Sequence, residues 1–287
     1  MDAFFYFMIL GGIFMKKVLC ILCLLFCLTL ISCGGTNLEG TAKEGVLVVG
    51  MECAYAPFNW TESTKTETNV AISNVAGGYV EGYDVQIAKK IAEGLGLTLE
   101  IKAYEWDGLI PALKSGQIDL IIAGMSPTDK RKESISFTDG YYRSTHVVLV
   151  SETGAYANAT SLDDFSNAKV AGQMNTIYAD LVPQMVSHGA IAKTNLSSVP
   201  ELVVQINNGI LDATIVEKPV ALGLCAAYPN LKYIEPTDGF SVNEEDVLVS
   251  IGVRKECNFI SQINEILASI STAEREEIMA IAVSQNS

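Results

Sequence analysis

The sequence has 287 residues, 49% of them apolar, and a formal net charge of −14. That length accommodates one large domain or two lobes. The acidic balance repels phosphate backbones and argues against nucleic acid as a partner.

Residues 1–32 read as a secretory leader. A basic pair, Lys16 and Lys17, precedes an uncharged apolar run from Val18 to Ile31, and the run ends in Leu30-Ile31-Ser32-Cys33. A basic n-region, an apolar h-region of about 7–15 residues and a small-residue cleavage site make a signal peptide. The run is too short to span a bilayer, which takes about 20 residues. Reading residues 3–32 as an uncleaved anchor helix puts both lysines mid-membrane, at about 2.5–3.5 kcal/mol each. Because residues 1–14 precede the natural n-region, translation is expected to start at Met15. Leu30 to Cys33 resemble a lipobox, which makes Cys33 the first mature, lipid-bearing residue and predicts an extracytoplasmic, membrane-anchored protein. Residues 33–43 then form a tether. Cleavage removes Lys16, Lys17 and Asp2 and leaves a charge of −15. It also removes Cys20, Cys23 and Cys27. Cys53, Cys225 and Cys257 remain, so at most one disulfide is possible, with no pairing fixed by sequence.

Val46 to Gly50 is a β-branched apolar run, predicted as a buried strand. Asp84 to Gly94 carries apolar residues at helical spacing, so a helix capped by Asp84 and stopped by glycine is expected. Leu97 to Ile101 alternates as a strand. Leu109 to Ser115 is a short helix in which Pro111 is tolerable within the first turn. Ile118 to Ala123 is a further buried strand. The order restarts with a strand at Lys169 to Ala171, a helix opened by Thr176, a helix from Ser198 to Asn208 and a strand from Ile210 to Val216. Strand–helix–strand order predicts largely parallel sheets covered by helices. Gly116 to Ile122 also echoes Gly209 to Ile215, with an aspartate three residues after each glycine. The echo predicts two α/β lobes of similar build. Open sheets of this kind bind ligands beyond the C-terminal ends of their strands, so the cleft between lobes is the expected site.

The strongest local signal is Ala123-Gly124-Met125-Ser126-Pro127-Thr128-Asp129-Lys130-Arg131. A strand ends, hydroxyl residues follow, and Arg131 falls at the third position of a helix capped by Thr128. Free N–H groups, hydroxyls and a planar guanidinium suit a carboxylate. The alternative is that Thr128 is only a cap and Arg131 a surface residue paired with Glu133 or Asp129. Thr176, at a second strand-to-helix turn that includes Asn175, could reach the same anion or be an ordinary cap. Glu217 ends a buried strand, where a carboxylate needs a cation: its neighbour Lys218, or a ligand ammonium. Tyr55 and Trp106 could stack on a ligand or anchor turns. The only histidines, His146 and His188, lack metal-ligand spacing, and no phosphate-cradling GxxxxGK[ST] motif is present. The residues therefore imply no cofactor, no metal and no catalytic nucleophile.

Taken in order, Gly50 to Trp60, Gly82 to Val85, Trp106 to Leu113, Gly124 to Arg131, Phe137 to Tyr142 and Asp212 to Glu217 resemble the polar amino-acid class of bacterial solute-binding proteins of ABC transporters. The resemblance spans about residues 44–285. It implies a type II periplasmic-binding-protein fold, with lobe 1 at 44–144, lobe 2 at 145–238 and a return to lobe 1 at 239–287. The hinge strands would cross near Tyr141–Thr145 and Pro236–Val242. Arg131, Ser126 and Thr176 would hold a ligand α-carboxylate. The Gly124 carbonyl, Ser126 and Glu217 would hold the α-ammonium, Tyr55 and Trp106 would sandwich the side chain, and Met125 and Asn175 would line the site. Glu52 stands at a side-chain selector position and favours a basic ligand, arginine or lysine, over glutamine, cystine or another polar amino acid. Asn175 departs from the Gly or Thr common in the family, and Val216 argues mildly against glutamine. The implied partners are a free amino acid and an ABC permease with its ATPase, engaged by a monomer. Rival readings on this scaffold are a dehydratase, with Glu52 and Glu217 as acid and base, and a ligand sensor.

Overall fold

The computed structural model describes residues 40–286. The predicted leader, Cys33 and most of the tether lie outside the described residues. The first stretch runs β1 (Val46–Met51), β2 (Ala54–Tyr55), β3 (Asn59–Glu62), β4 (Val70–Ala71), β5 (Tyr79–Glu81), α1 (Tyr83–Gly94), β6 (Thr98–Ala103), α2 (Trp106–Lys114), β7 (Leu120–Ile121), α3 (Asp129–Lys132) and β8 (Ser136–Arg143). The second runs β9 (His146–Ser151), β10 (Lys169–Ala171), α4 (Ile177–Ser187), β11 (Ile191–Ala192), α5 (Val199–Asn207), β12 (Ala213–Glu217), α6 (Lys218–Ala227) and β13 (Leu231–Ile234). The chain ends with β14 (Leu248–Val253), α7 (Ile260–Ser269) and α8 (Thr272–Gln285).

Two five-stranded sheets have equivalent orders, β6-β1-β7-β14-β8 and β11-β10-β12-β9-β13. In each, the first three strands are parallel and the fourth is antiparallel to both its neighbours. A small antiparallel sheet, β2-β3-β5-β4, flanks the first lobe. The chain passes from the first sheet to the second between β8 and β9, and returns between β13 and β14. The sequence echo has a matching geometry. The Asp119 carboxylate accepts the Val48 N–H at 2.9 Å while its own N–H donates to the Val48 carbonyl. Asp212 does the same with Lys169, its carboxylate accepting at 2.8 Å. In both lobes this aspartate pins the start of the third strand in the sheet order against the second, β7 against β1 and β12 against β10.

The cores follow from composition. Leu47, Val49 and Met51 of β1 are fully buried, each contributing about 1.5–3 kcal/mol relative to exposure. Three local expectations change. Helix α1 begins at Tyr83 with Gly82 as its N-cap, and Asp84 caps nothing. Gly82 sits at φ +128°, and a Cβ there would lie 2.4 Å from the Phe58 carbonyl oxygen. Asp84 is instead fully buried, accepting from the Tyr141 hydroxyl at 2.7 Å and Asn59 Nδ2 at 2.8 Å. Helix α2 starts at Trp106, so Pro111 lies in its second turn, where its missing N–H leaves the Asp107 carbonyl without its helical donor. The predicted strand 118–123 pairs only over Leu120–Ile121; residues 122–126 leave the ladder as buried chain and carry the site. Cys53, Cys225 and Cys257 are free thiols.

Candidate functional site

The parallel strands of both sheets point their C-terminal ends at one cleft. From the first lobe come Glu52 after β1, Tyr55 in β2, Trp106 at the start of α2, Gly124 to Ser126 after β7, and Arg131 in α3. The second lobe contributes Gln173 to Thr176 after β10, Tyr178 in the first turn of α4, and Glu217 at the end of β12. A small cavity of about 10 Å³ lies between them, lined by Glu52, Tyr55, Trp106, Gly124, Ser126, Arg131, Gln173, Thr176, Ile177 and Tyr178. That volume holds roughly one water. A larger groove of about 1120 Å³ adjoins it on the outside, sharing Trp106, Arg131 and Thr176 and reaching Met125, Asp180 and residues 241–246. We place the site at the small cavity, because the buried charges converge there; the groove is its outer mouth.

Thr128 caps α3 as the sequence predicts, accepting the Arg131 N–H. This aims the guanidinium inward. Nη1 donates to the Ser126 carbonyl at 2.8 Å, and Nη2 crosses the cleft to the Asn175 carbonyl at 3.2 Å. The guanidinium carbon stands 5.0 Å from the Trp106 ring centroid, a cation–π contact. Among the described residues no carboxylate, Asp129 and Glu133 included, forms an ion pair with Arg131, while Lys132 pairs with Glu245. Burial pushes Arg131 down to about 10, which still leaves it charged at neutral pH. Ser126 donates its hydroxyl to the Asp246 carbonyl at 3.3 Å.

Two buried carboxylates stand at the same cavity. Glu52, 8% exposed, accepts from Gln173 Nε2 at 3.0 Å across the cleft. Burial pushes it up to about 7, against the lowering effect of the Gln173 bond. Glu217, 2% exposed, accepts from the Tyr178 hydroxyl through Oε1, while Oε2 has no partner. Burial raises Glu217 to about 8. Its neighbour Lys218 turns away to Glu235, at 2.8 Å. Tyr178 also receives the Tyr55 hydroxyl at 3.1 Å, so Glu217 stands one hydroxyl behind the cavity wall. His146 faces Glu217 in the β9–β12 register, and burial lowers it to about 4, which keeps it neutral.

The remaining predicted residues occupy distinct places. Gly124 has φ +61°, and a Cβ there would come within 2.9 Å of the Tyr55 ring, so glycine lets that ring close the cavity. The Met125 side chain is buried in the core, and its carbonyl accepts the Ser250 N–H at 2.9 Å. Tyr55 stacks on Phe58 at 5.6 Å. Thr176 caps α4 and donates to the Gln173 carbonyl at 2.6 Å. Asn175, at φ +59°, binds both oxygens of Asp107 across the cleft at 2.9 Å, and its carbonyl accepts from Trp106 Nε1 at 3.1 Å. Gln173 and Tyr178 carry no assignment from the sequence. Gln173 had one available signal, a polar residue just past a buried strand at the cleft end of the sheet.

Among the described residues no helix is long and apolar enough to cross a membrane, and no group of three His, Cys, Asp or Glu side chains is placed to hold a metal. A family model described as bacterial extracellular solute-binding proteins, family 3, matches residues 47–280. The arginine-binding extracellular protein ArtP of Bacillus subtilis is 28% identical over 259 residues, covering 88% of this chain and 92% of that protein. A probable histidine-binding protein of Campylobacter jejuni is 29% identical over 235 residues, covering 78% and 83%. Among solved structures, an amino acid ABC transporter substrate-binding protein from Streptococcus pneumoniae bound to L-arginine superposes with a TM-score of 0.71 at 25% identity, covering 84% of this chain and 94% of that one.

Proposed function

This chain belongs to the bacterial extracellular solute-binding proteins of family 3, and we propose that it captures a free basic L-amino acid, arginine before lysine, and delivers it to an ABC permease with its ATPase. One observation carries the reading. Arg131, a cation with no carboxylate partner among the described residues, lines one interlobe cavity with the buried Glu52 of its own lobe, and the buried Glu217 of the other lobe stands behind Tyr178 in the cavity wall. A zwitterion with a cationic side chain gives Arg131 its anion and brings two cations that draw both carboxylates into their ionised forms. Arg131, Ser126 and Thr176 take the α-carboxylate. The Gly124 carbonyl and the Glu217 end of the cleft take the α-ammonium, and Glu52 takes the side-chain cation between Tyr55 and Trp106. The cavity is far smaller than an amino acid, so the lobes separate to admit ligand and close on it, with the chain crossings near residues 141–145 and 236–242 as hinges. Solute capture by a monomer without cofactor or catalysis is the whole role assigned to the fold. The leader and Cys33 support lipid anchoring at the extracytoplasmic face; palmitate labelling that survives Cys33→Ser would refute it.

Thermal melting of the mature protein with each amino acid tests the ligand. A ligand at 100 times its Kd adds about 2.7 kcal/mol, or roughly 5–10 °C for a chain of this size. Arginine or lysine is expected to give that shift. No shift with any amino acid overturns the function, and a shift with only glutamine or cystine overturns the basic side chain.

A further inference from the structure

Tyr178 stands in the first turn of α4. It is 4% exposed and lines the cavity at the point where Glu217 would otherwise face it. A tyrosine hydroxyl has one proton and two acceptor lone pairs. Here the proton goes to Glu217 Oε1 and one lone pair receives the Tyr55 hydroxyl at 3.1 Å. The remaining lone pair belongs to an oxygen in the cavity wall. An oxygen whose proton is held by a carboxylate is a stronger acceptor, because hydrogen bonds in a chain polarise one another. Burial favours the protonated Glu217 in the ligand-free site; an arriving cation draws it into the ionised form, and Tyr178 then transmits that charge into the cavity without exposing the carboxylate.

We propose that Tyr178 is the group that receives the ligand's α-ammonium, with Glu217 behind it supplying the charge. The inference rests on the proposed amino-acid binding and deepens it by naming how this chain recognises the amine. Arg131, bonded to the Ser126 carbonyl, holds the carboxylate, and the adjacent Tyr178 hydroxyl, bonded to Glu217, takes the amine on the same α-carbon. The pair selects acids that carry a protonated amine on the α-carbon. Acids with hydrogen, hydroxyl or a keto oxygen there leave the Tyr178 oxygen without a donor.

The test compares two ligands on two variants by isothermal titration. The ligands are L-arginine and 5-guanidinopentanoic acid, which is arginine without its α-amine; if the wild type prefers another amino acid, that one and its des-amino acid are used. Tyr178→Phe is expected to weaken the amino acid by about 10- to 100-fold, the range for a hydrogen bond to a charged group, and to leave the des-amino acid within about threefold. Glu217→Gln, which keeps the hydroxyl, is expected to give the same selective loss. Equal losses for both ligands in Tyr178→Phe mean that the tyrosine only shapes the cavity, and overturn the proposal. So does an unchanged amino-acid affinity in either variant. A wild type that binds no amino acid overturns the functional reading itself, a separate outcome visible before any variant is made.

Discussion

Replacing the guanidinium of arginine by the uncharged ureido group of citrulline changes almost nothing in shape, and the structure predicts a large loss. Glu52 titrates at about 7 in the site rather than at its ordinary 4.5, with burial as the main cause. The site therefore holds the ionised carboxylate roughly 3 kcal/mol less favourably than water does, at about 1.4 kcal/mol per pH unit. A guanidinium offsets that cost and a ureido group does not. Near pH 8 wild type is expected to bind arginine about 100-fold more tightly than citrulline. The direction with pH follows from the raised value. Below 7 Glu52 takes up a proton and tolerates the neutral ligand, so the ratio shrinks about tenfold by roughly pH 6. In Glu52→Gln the ratio collapses to within about fivefold or reverses, because a buried guanidinium then lacks its anion. Titration calorimetry of both ligands at both pH values measures each number. A ratio that is flat with pH, or that Glu52→Gln leaves intact, refutes the assignment of Glu52 to the side-chain cation.

Arg131→Ala is expected to abolish the thermal shift with every amino acid, since all share the carboxylate; a retained shift would place that group elsewhere. Asn175→Gly keeps the left-handed turn and its carbonyl but removes the amide that binds Asp107. Stopped-flow release of ligand should become several-fold faster, in line with about 1 kcal/mol for the lost hydrogen bonds, and an unchanged rate would deny the contact any role in holding the lobes together. Burial raises Glu217 to about 8 and Asp84 to about 6. Folding then takes up protons that the unfolded chain has released, so ligand-free stability falls as pH rises from about 4 through 8. Glu217→Gln should flatten the upper part of that fall and melt higher than wild type near pH 8 but not near pH 5; superimposable melting profiles would count against the buried charge.

The sequence made legible what local chemistry decides. The Thr128 cap and the inward Arg131 follow from a hydroxyl, an acidic first turn and an arginine three residues on, and the structure has them there. The Gly-to-Asp echo disclosed the equivalent lobes because the same pin joins β7 to β1 and β12 to β10. Local signals misled at Asp84. An aspartate beside a helix start reads as a cap, but Tyr141 and Asn59 draw this one into the core. The cross-cleft contacts of Gln173 and Tyr178 were illegible for a related reason. Their partners Glu52 and Tyr55 lie more than a hundred residues away in the chain, and no periodicity or spacing encodes a contact that exists only when the two lobes meet.

The second sheet also has a consequence for engineering. Residues 146–234 form it without interruption, and β9 and β13 pair so that Val148 lies opposite Ile234. The entrance and exit of this segment are side by side, which makes it a cassette. Exchanging it for the corresponding segment of a relative would replace Gln173, Tyr178 and Glu217 together while leaving Glu52, Ser126 and Arg131 in place. Half of the ligand's environment could thus be rewritten by one insertion at two adjacent junctions, with Arg131 and Ser126 of the carboxylate grip kept and only Thr176 exchanged.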